Sequence, residues 1–375
     1  MRDVKTARDD YPATASLAYL NTAAVGLASR RLAAVYHAAV DTWTEQGFDF
    51  TTGEAAVERA RAAVARLMGA DAADLALIAS VSSAAGTVAA QFGPAARGEN
   101  VVIGQREYSS NHFPWRMLAA RGYEVRQVPF RDGGIQPDDV ETRVDDGTVV
   151  VACSAVQTAT GHRTDLAAVG AITQRVGAVL FVDGAQLVGA LAVTDLDVID
   201  VLATPDHKFL LNGGRGVGYC YLSERVQARF RPVSPGWKAG REPLASFFGP
   251  DMDLSPTASR FDHWIGWLAA IGDDAALSAF DEFGVDAVFA RNRELAELLR
   301  AAMTDAGWAP VALPERNRST IVSVPLGGRD PAAVLAALRA QSVVAAARDG
   351  HLRLSVHLYN HEDDIMRLAR VLPTL

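Results

Sequence analysis

The residues best placed to do chemistry are an acid and an amine at the tips of two successive strand-like runs. Ala178-Val179-Leu180-Phe181-Val182 is continuously apolar and reads as a strand buried on both faces; it leads straight into Asp183-Gly184-Ala185-Gln186. A carboxylate at the end of such a run costs free energy unless something there requires it. The next run, Asp200-Val201-Leu202-Ala203-Thr204, ends in a loop that presents His207 and Lys208. Neighbouring strands thus deliver an acid and an amine to one sheet edge, the rim where open α/β sheets bind ligands. An acid that keeps a pyridine nitrogen protonated and a lysine that can form an imine are the two groups pyridoxal 5′-phosphate requires. That cofactor is the expectation, with Asp183 and Lys208 as catalytic residues.

The elements that must position them alternate along the chain. Helical spacing over Glu54–Leu67 precedes a strand-like run at Leu75–Ala79, and Val101–Ile103 is followed by a helix over Pro114–Ala120 and a strand over Tyr123–Val128. Val149–Ala152 continues the pattern, then a helix over Asp165–Arg175 and the strand before Asp183. Strands alternating with helices imply right-handed crossovers and a mostly parallel sheet, an α/β fold. After residue 230 the texture changes. A stretch rich in Pro, Gly and aromatics (Pro232–Pro256) leads into a long helix at Val285–Asp305, strands at Thr320–Val324 and Leu352–Val356, and helices at Pro331–Gln341 and Asp363–Val371. The expected organisation is a large cofactor-binding domain over 16–280 and a smaller α+β domain over 281–375, joined by 1–15.

At 375 residues the chain can bury a large core. Its 49% hydrophobic and 21% charged content is that of a globular protein. A net charge of −8 argues against nucleic acid or an anionic membrane as partner. No apolar run approaches the roughly 20 residues of a membrane span, and polar residues rather than a signal-peptide core follow Met1–Lys5. The two cysteines, Cys153 and Cys220, lie in apolar runs and read as buried free thiols. A cytoplasmic protein is the expectation.

Other segments carry weaker signals. Ser80-Val81-Ser82-Ser83 lies between a strand and a small-residue helix; it reads either as a phosphate cradle at a helix start or as an ordinary serine N-cap. Gly213–Gly218 precedes a strand instead of opening a helix, so it is a flexible loop and not a dinucleotide fingerprint. His357 and His361 stand four apart, but the segment alternates like a strand and no glutamate follows His357, so no metal is expected. Arg353, flanked by apolar residues, is a surface ion-pair partner or a two-pronged clamp for a substrate carboxylate.

Taken together, from Tyr19-Leu20-Asn21-Thr22 to Tyr359-Asn360-His361-Glu362-Asp363-Asp364, these motifs resemble the class V aminotransferase superfamily of fold-type I pyridoxal-phosphate enzymes. That group includes cysteine desulfurases, isopenicillin N epimerase-like proteins and C–S lyases. The resemblance implies that Lys208 bonds the cofactor's aldehyde carbon, Asp183 pairs with the ring nitrogen and Gln186 with the phenolic oxygen. It places Ser82 and Ser83 at the phosphate, with His207 beside them, Gln157 near the cofactor oxygen, and Tyr108 stacked on the ring where relatives often have histidine. Arg353 falls where relatives hold the substrate carboxylate, with Asn21 and Trp237 as further substrate contacts. A homodimer is implied, with Pro232–Phe248 a candidate contribution to the partner's site.

Departures from the family pattern shape the expected reaction. Pro205-Asp206-His207-Lys208 stands where relatives show Ser-Gly-His-Lys. Arg260-Phe261-Asp262-His263-Trp264-Ile265 replaces a segment whose threonine can reach a neighbouring subunit's phosphate, and suggests an aromatic substrate entrance formed by Trp237, Trp264 and Trp267. Ser342–His351 holds no cysteine where desulfurases carry their nucleophile. The expected activity is therefore β-elimination on a cysteine-derived conjugate, a C–S lyase, rather than persulfide-forming desulfuration. The alternatives are an aminotransferase, a (decarboxylating) oxidative deaminase or an epimerase.

Overall fold

The computed structural model describes residues 1–249, 251–263 and 266–374. Its main sheet has seven strands: β1 (Leu75–Ile78), β2 (Asn100–Gly104), β3 (Glu124–Val128), β4 (Thr148–Ser154), β5 (Val179–Asp183), β6 (Val201–Pro205) and β7 (Gly218–Leu222). Their order is β1-β7-β6-β5-β4-β2-β3, with β7 alone running antiparallel to its neighbours. Every residue of β1, β2, β5 and β6 is buried, as expected for strands covered on both faces. Because only β7 is reversed, the carboxyl ends of β1, β2, β4, β5 and β6 all emerge at one edge.

Helices cover the sheet. α1 (Arg30–Gln46) and α2 (Phe50–Met68) pack with α5 (Trp267–Phe283) on one face, while α3 (Val81–Ala89) follows β1 and α4 (Leu166–Val176) precedes β5. Local chemistry sets these limits. Asp49 caps the start of α2 by accepting from the Thr51 N–H, and Gly69, at φ 71°, closes its end in the left-handed conformation. The expected helix at 114–120 divides into one α-turn, Phe113–Arg116, and a 3₁₀ turn, Met117–Arg121, that ends on Gly122 at φ 96°. α6 (Val285–Asp305) has the limits expected from its spacing.

A second, three-stranded sheet is antiparallel in the order β9-β10-β8, from β8 (Ile321–Pro325), β9 (Ala346–Arg348) and β10 (His351–Ser355). The N-terminal segment joins it: Ala18–Tyr19 pairs in parallel with Val343–Val344, and Asn21 bridges to Ser355. Ala18 and Leu20 pack with Leu295, Leu299, Leu352 and Leu354 in a core separate from those of the large sheet. The segment then crosses to the main sheet. Gly26 donates to the His207 carbonyl, and a Cβ at Gly26 would lie 2.6 Å from the Lys208 carbonyl oxygen, so only glycine permits this approach.

The segment that departs from the family pattern has a structural task. Asp262, 1% exposed at its side chain, pairs with the buried Arg61 at 2.6 Å and accepts from the Leu77 N–H at 2.8 Å. Arg61 also donates to the Leu75 carbonyl. The pair ties α2 to β1, the strand that leads into Ser80. Arg61 is also paired with the exposed Glu58 at 2.9 Å, so Asp262→Ala removes its buried counter-ion and the acceptor of the Leu77 N–H but leaves it one acid, and is expected to lower unfolding free energy by about 3 kcal/mol. Urea titration would read this as a lower midpoint at unchanged slope; a loss below about 1 kcal/mol, the range of exposed pairs, would show that the contact does not hold the strand.

Candidate active site

Loops from the carboxyl edge of the main sheet, together with β9 and β10, enclose a cleft of about 380 Å³. Asp183, Lys208, Tyr108, His207 and Arg353 all line it. Asp183 sits at the end of β5, 6% exposed, and its carboxylate accepts from the Ala185 N–H at 2.9 Å. Burial raises its pKa, against the pull of the Lys208 ammonium and that N–H. Lys208 follows β6, and burial lowers its pKa to about 8 despite Asp183; Arg353, Arg215 and Arg348 push the same way. Its Nζ lies 5.6 Å from the centre of the Tyr108 ring.

A short polar chain reaches the cleft at Thr158 and Arg353. Gln186 Nε2 donates to the Ala23 carbonyl at 3.2 Å and to Thr158 Oγ1 at 3.0 Å, while its Oε1 is buried with no partner among the described residues. Thr158 Oγ1 also accepts from Arg353 Nη1 at 2.9 Å, and Arg353 Nη2 reaches Asn21 Oδ1 at 3.5 Å. Arg353 is 2% exposed on the central strand β10, no described carboxylate pairs with it, and its Nε has no partner. Burial, then the nearby Arg348, brings its pKa down to about 10. A buried guanidinium held only by neutral oxygens lacks its counter-ion.

Behind these residues lie groups that the sequence reading did not single out. Glu107 accepts from the Ser154 N–H at 3.0 Å and from Ser154 Oγ, and withdrawal from water raises its pKa to about 7. Asp206, fully buried, accepts from the Gly216 and Val217 N–H groups at 2.8 and 2.9 Å and lies 3.3 Å from His207 Nδ1. It thereby fixes both ends of the loop that carries Lys208. Arg215 and Arg348 line the cleft as well.

Several expected site residues lie elsewhere. Gln157 is buried, but its amide is spent on backbone, donating to the Arg106 carbonyl in the loop after β2 and accepting from the Ala159 N–H; Thr158, one residue on, reaches the cleft instead. Ser82 and Ser83 do not line the cleft. Ser83 closes a capping box with Ser80, and Ser80 and Val81 are the residues that face it. Trp237 packs on Phe247 at 5.1 Å beside a different hollow, and Trp267 stacks on Phe48 at 5.4 Å while donating to Glu54. Neither forms an entrance to the cleft of its own chain, and Trp264 lies outside the described residues. His357 is a core histidine, its pKa pushed down to about 4 by burial, stacked between Phe209 and Tyr359.

The donor set suits pyridoxal phosphate. A buried carboxylate with one N–H partner matches a protonated ring nitrogen, whereas Gln186 has its amide N–H groups committed to Ala23 and Thr158. Small residues at the start of α3 leave backbone N–H groups open to a phosphate. The family model for class-V aminotransferases matches residues 35–368. The chain is similar to a cysteine desulfurase of Dickeya dadantii (30% identical, covering 84% of this chain and 80% of that one). It is also similar to a probable cysteine desulfurase of Methanothermobacter thermautotrophicus (28%, covering 74% and 73%). Among solved structures, the cystine C–S lyase C-DES, in complex with its product cysteine persulfide, has the same fold, with a TM-score of 0.85 at 19% identity over 97% of this chain and 99% of that one.

The lowered lysine pKa gives a pH signature. Only the neutral amine attacks an aldehyde, and burial favours that form from about pH 8 upward. The rate at which the apo protein takes up pyridoxal phosphate, followed by absorbance, is expected to rise through pH 8 and level off above it, and to vanish in Lys208→Ala. A midpoint near the ordinary lysine value of 10.5 would show that the amine is not desolvated.

Proposed function

The chain belongs to the class-V aminotransferase family, so it is a pyridoxal-phosphate-dependent enzyme acting on amino acids, and we propose that its reaction is β-elimination at a cysteine-derived conjugate. The net change is conjugate plus water giving pyruvate, ammonia and the free thiol. The observation that carries the choice of reaction is the position of the two thiols. Cys153 and Cys220 are buried in β4 and β7, and burial raises the pKa of each, that of Cys220 to about 12. A thiol held protonated inside the sheet is neither nucleophilic nor reachable as a sulfur acceptor. Segment 342–351, which borders the cleft through Arg348, supplies no other. The sulfur fragment therefore leaves as a thiol.

The residues divide the work as follows. Arg353 forms a charge-assisted pair with the substrate carboxylate, and Thr158 and Asn21 hold the guanidinium in place. Asp183 would keep the proton on the cofactor's ring nitrogen, Tyr108 would lie against the ring, and Ser80, the Val81 backbone and His207 would hold the phosphate. Bound pyridoxal phosphate supplies the electron sink for the bond broken at Cα. Lys208 Nζ, a neutral amine near pH 8, takes the Cα proton and returns it to the departing sulfur. Asp206 is a positioning residue for this step, since it holds the loop on which His207 and Lys208 sit. Incubation with L-cysteine S-conjugates is expected to yield pyruvate, ammonia and thiol in equal amounts, and Cys153→Ala and Cys220→Ala variants are expected to retain the activity. A 2-keto acid that keeps the sulfur would show transamination instead, and loss of activity with either thiol would restore the persulfide route.

The enzyme works as a homodimer in this reading. Trp43, Phe48, Trp267 and Phe50 form a run of aromatic contacts leading to the hollow lined by Trp237 and Leu244. Phe247 packs on Trp237, and Phe248 beside it is 95% exposed. A contiguous apolar surface of this kind marks an interface, and it includes the Pro232–Phe248 stretch. Sedimentation is expected to give a dimer for the native chain and a monomer for Phe247→Asp/Phe248→Asp; a native monomer would sink the assignment. Two unpaired thiols fit a cytoplasmic location, and no helix among the described residues is long and apolar enough to cross a membrane.

A further inference from the structure

Beyond the reaction type stands the question of which side chain the substrate carries, and the cleft has a second cation that the mechanism does not use. β9 and β10 pair with Ala346 opposite Arg353 and Arg348 opposite His351. Residues two apart on a strand share a face, so Arg348 and Arg353 project from the same side of this sheet into the cleft, which both line. Arg353 is buried beneath, whereas Arg348 is exposed at the mouth. Its guanidinium makes one described contact, from Nη1 to the carbonyl of its neighbour Ala347 at 2.7 Å. The acid next to it, Asp349, is turned away and paired with Arg106. Arg215, from the loop after Lys208, lines the same cleft with its backbone at φ 49°, a left-handed conformation that is strained for arginine. Neither Arg215 nor Arg348 pairs with an acid among the described residues.

Two like charges held toward one cleft repel each other, and this repulsion is among the causes that lower the pKa of Arg353 and Lys208. An arrangement that costs free energy in the empty cleft is relieved by anions bound in it. Arg353 accounts for one carboxylate. We propose that Arg348, with Arg215 beside it, reads a second anionic group at the far end of the substrate side chain. The preferred substrates are then amino acids whose side chain ends in a carboxylate, and Arg348 is a specificity-determining residue. The inference rests on the amino-acid reading of the cleft but not on the bond that is broken.

The test compares S-carboxymethyl-L-cysteine with its amide, S-carbamoylmethyl-L-cysteine, which has the same shape without the charge. Binding to the holoenzyme is read from the absorbance change of the bound cofactor, and turnover separately from pyruvate. The acid is expected to bind about 10- to 100-fold more tightly than the amide, the range of one charge-assisted contact. In Arg348→Met the acid should fall to the level of the amide while the amide is unchanged, and Arg348→Lys should keep part of the preference. Equal affinity for the two compounds in the native enzyme overturns the inference. So does an Arg348→Met variant that weakens both alike, because the guanidinium would then serve the α-carboxylate or the cofactor phosphate. An acid preference seen in absorbance without any pyruvate would remove the lyase reading and leave this one standing.

Discussion

The site is organised by the placing of Asp183, a charge that the fold holds away from water at the tip of a strand covered on both faces. One backbone N–H and a neighbouring ammonium are its described support, and neither matches the solvation it has lost. Burial makes the carboxylate hungry for a proton and Lys208 ready to lose one. The remaining parts of the cleft answer that imbalance: a ring nitrogen that can carry a proton between them completes the set. Glu107, its carboxyl pKa pushed up to about 7 by burial beside the end of β4, adds a second titratable acid at the same edge.

The parts of this arrangement that were legible in the sequence are those fixed by strand geometry. An apolar run ending in Asp183 and another ending before Lys208 must deliver both to the sheet edge, whatever the loops do. Arg353 was readable as one of two alternatives, and its burial removes the surface ion pair. The residues on irregular backbone were not legible. In the loop after β4 no periodicity says which side chain faces inward, and Gln157 and Thr158 exchange the roles that a guess from residue type would give them. The helix start engages both the Ser80 and the Ser83 hydroxyls in a capping box, and only the position of Ser80 before the first turn brings it to the cleft. Arg348 and Arg215 carry no pattern at all; only the register of β9 on β10 and the closing of the loop behind Asp206 bring them to the cleft. Trp237 and Trp267 were read by their bulk as walls of the entrance, whereas their contacts with Phe247 and Phe48 place them on another surface.

Division of labour between the two sheets follows from this. The large sheet presents Asp183 and Lys208 to the cleft, and the small sheet presents Arg353 and Arg348 to it. Thr158 and Asn21 are the seam, each reaching Arg353 from a different part of the chain. The two parts are coupled through charge, because Arg353 and Arg348 are among the groups that lower the pKa of Lys208.

The N-terminal segment adds a constraint of another kind. Ala18–Tyr19 pairs with Val343–Val344, and a few residues later Gly26 rests on the backbone beside Lys208. Contacts so far apart in sequence are slow to form, because the chain entropy of closing the loop is lost before the contact repays it. During synthesis the strand partner of residues 18–19 does not exist until the ribosome has made residues 343–344. The nascent chain can assemble its large sheet early, yet Lys208 gains its complete setting only after residues 343–344 have emerged.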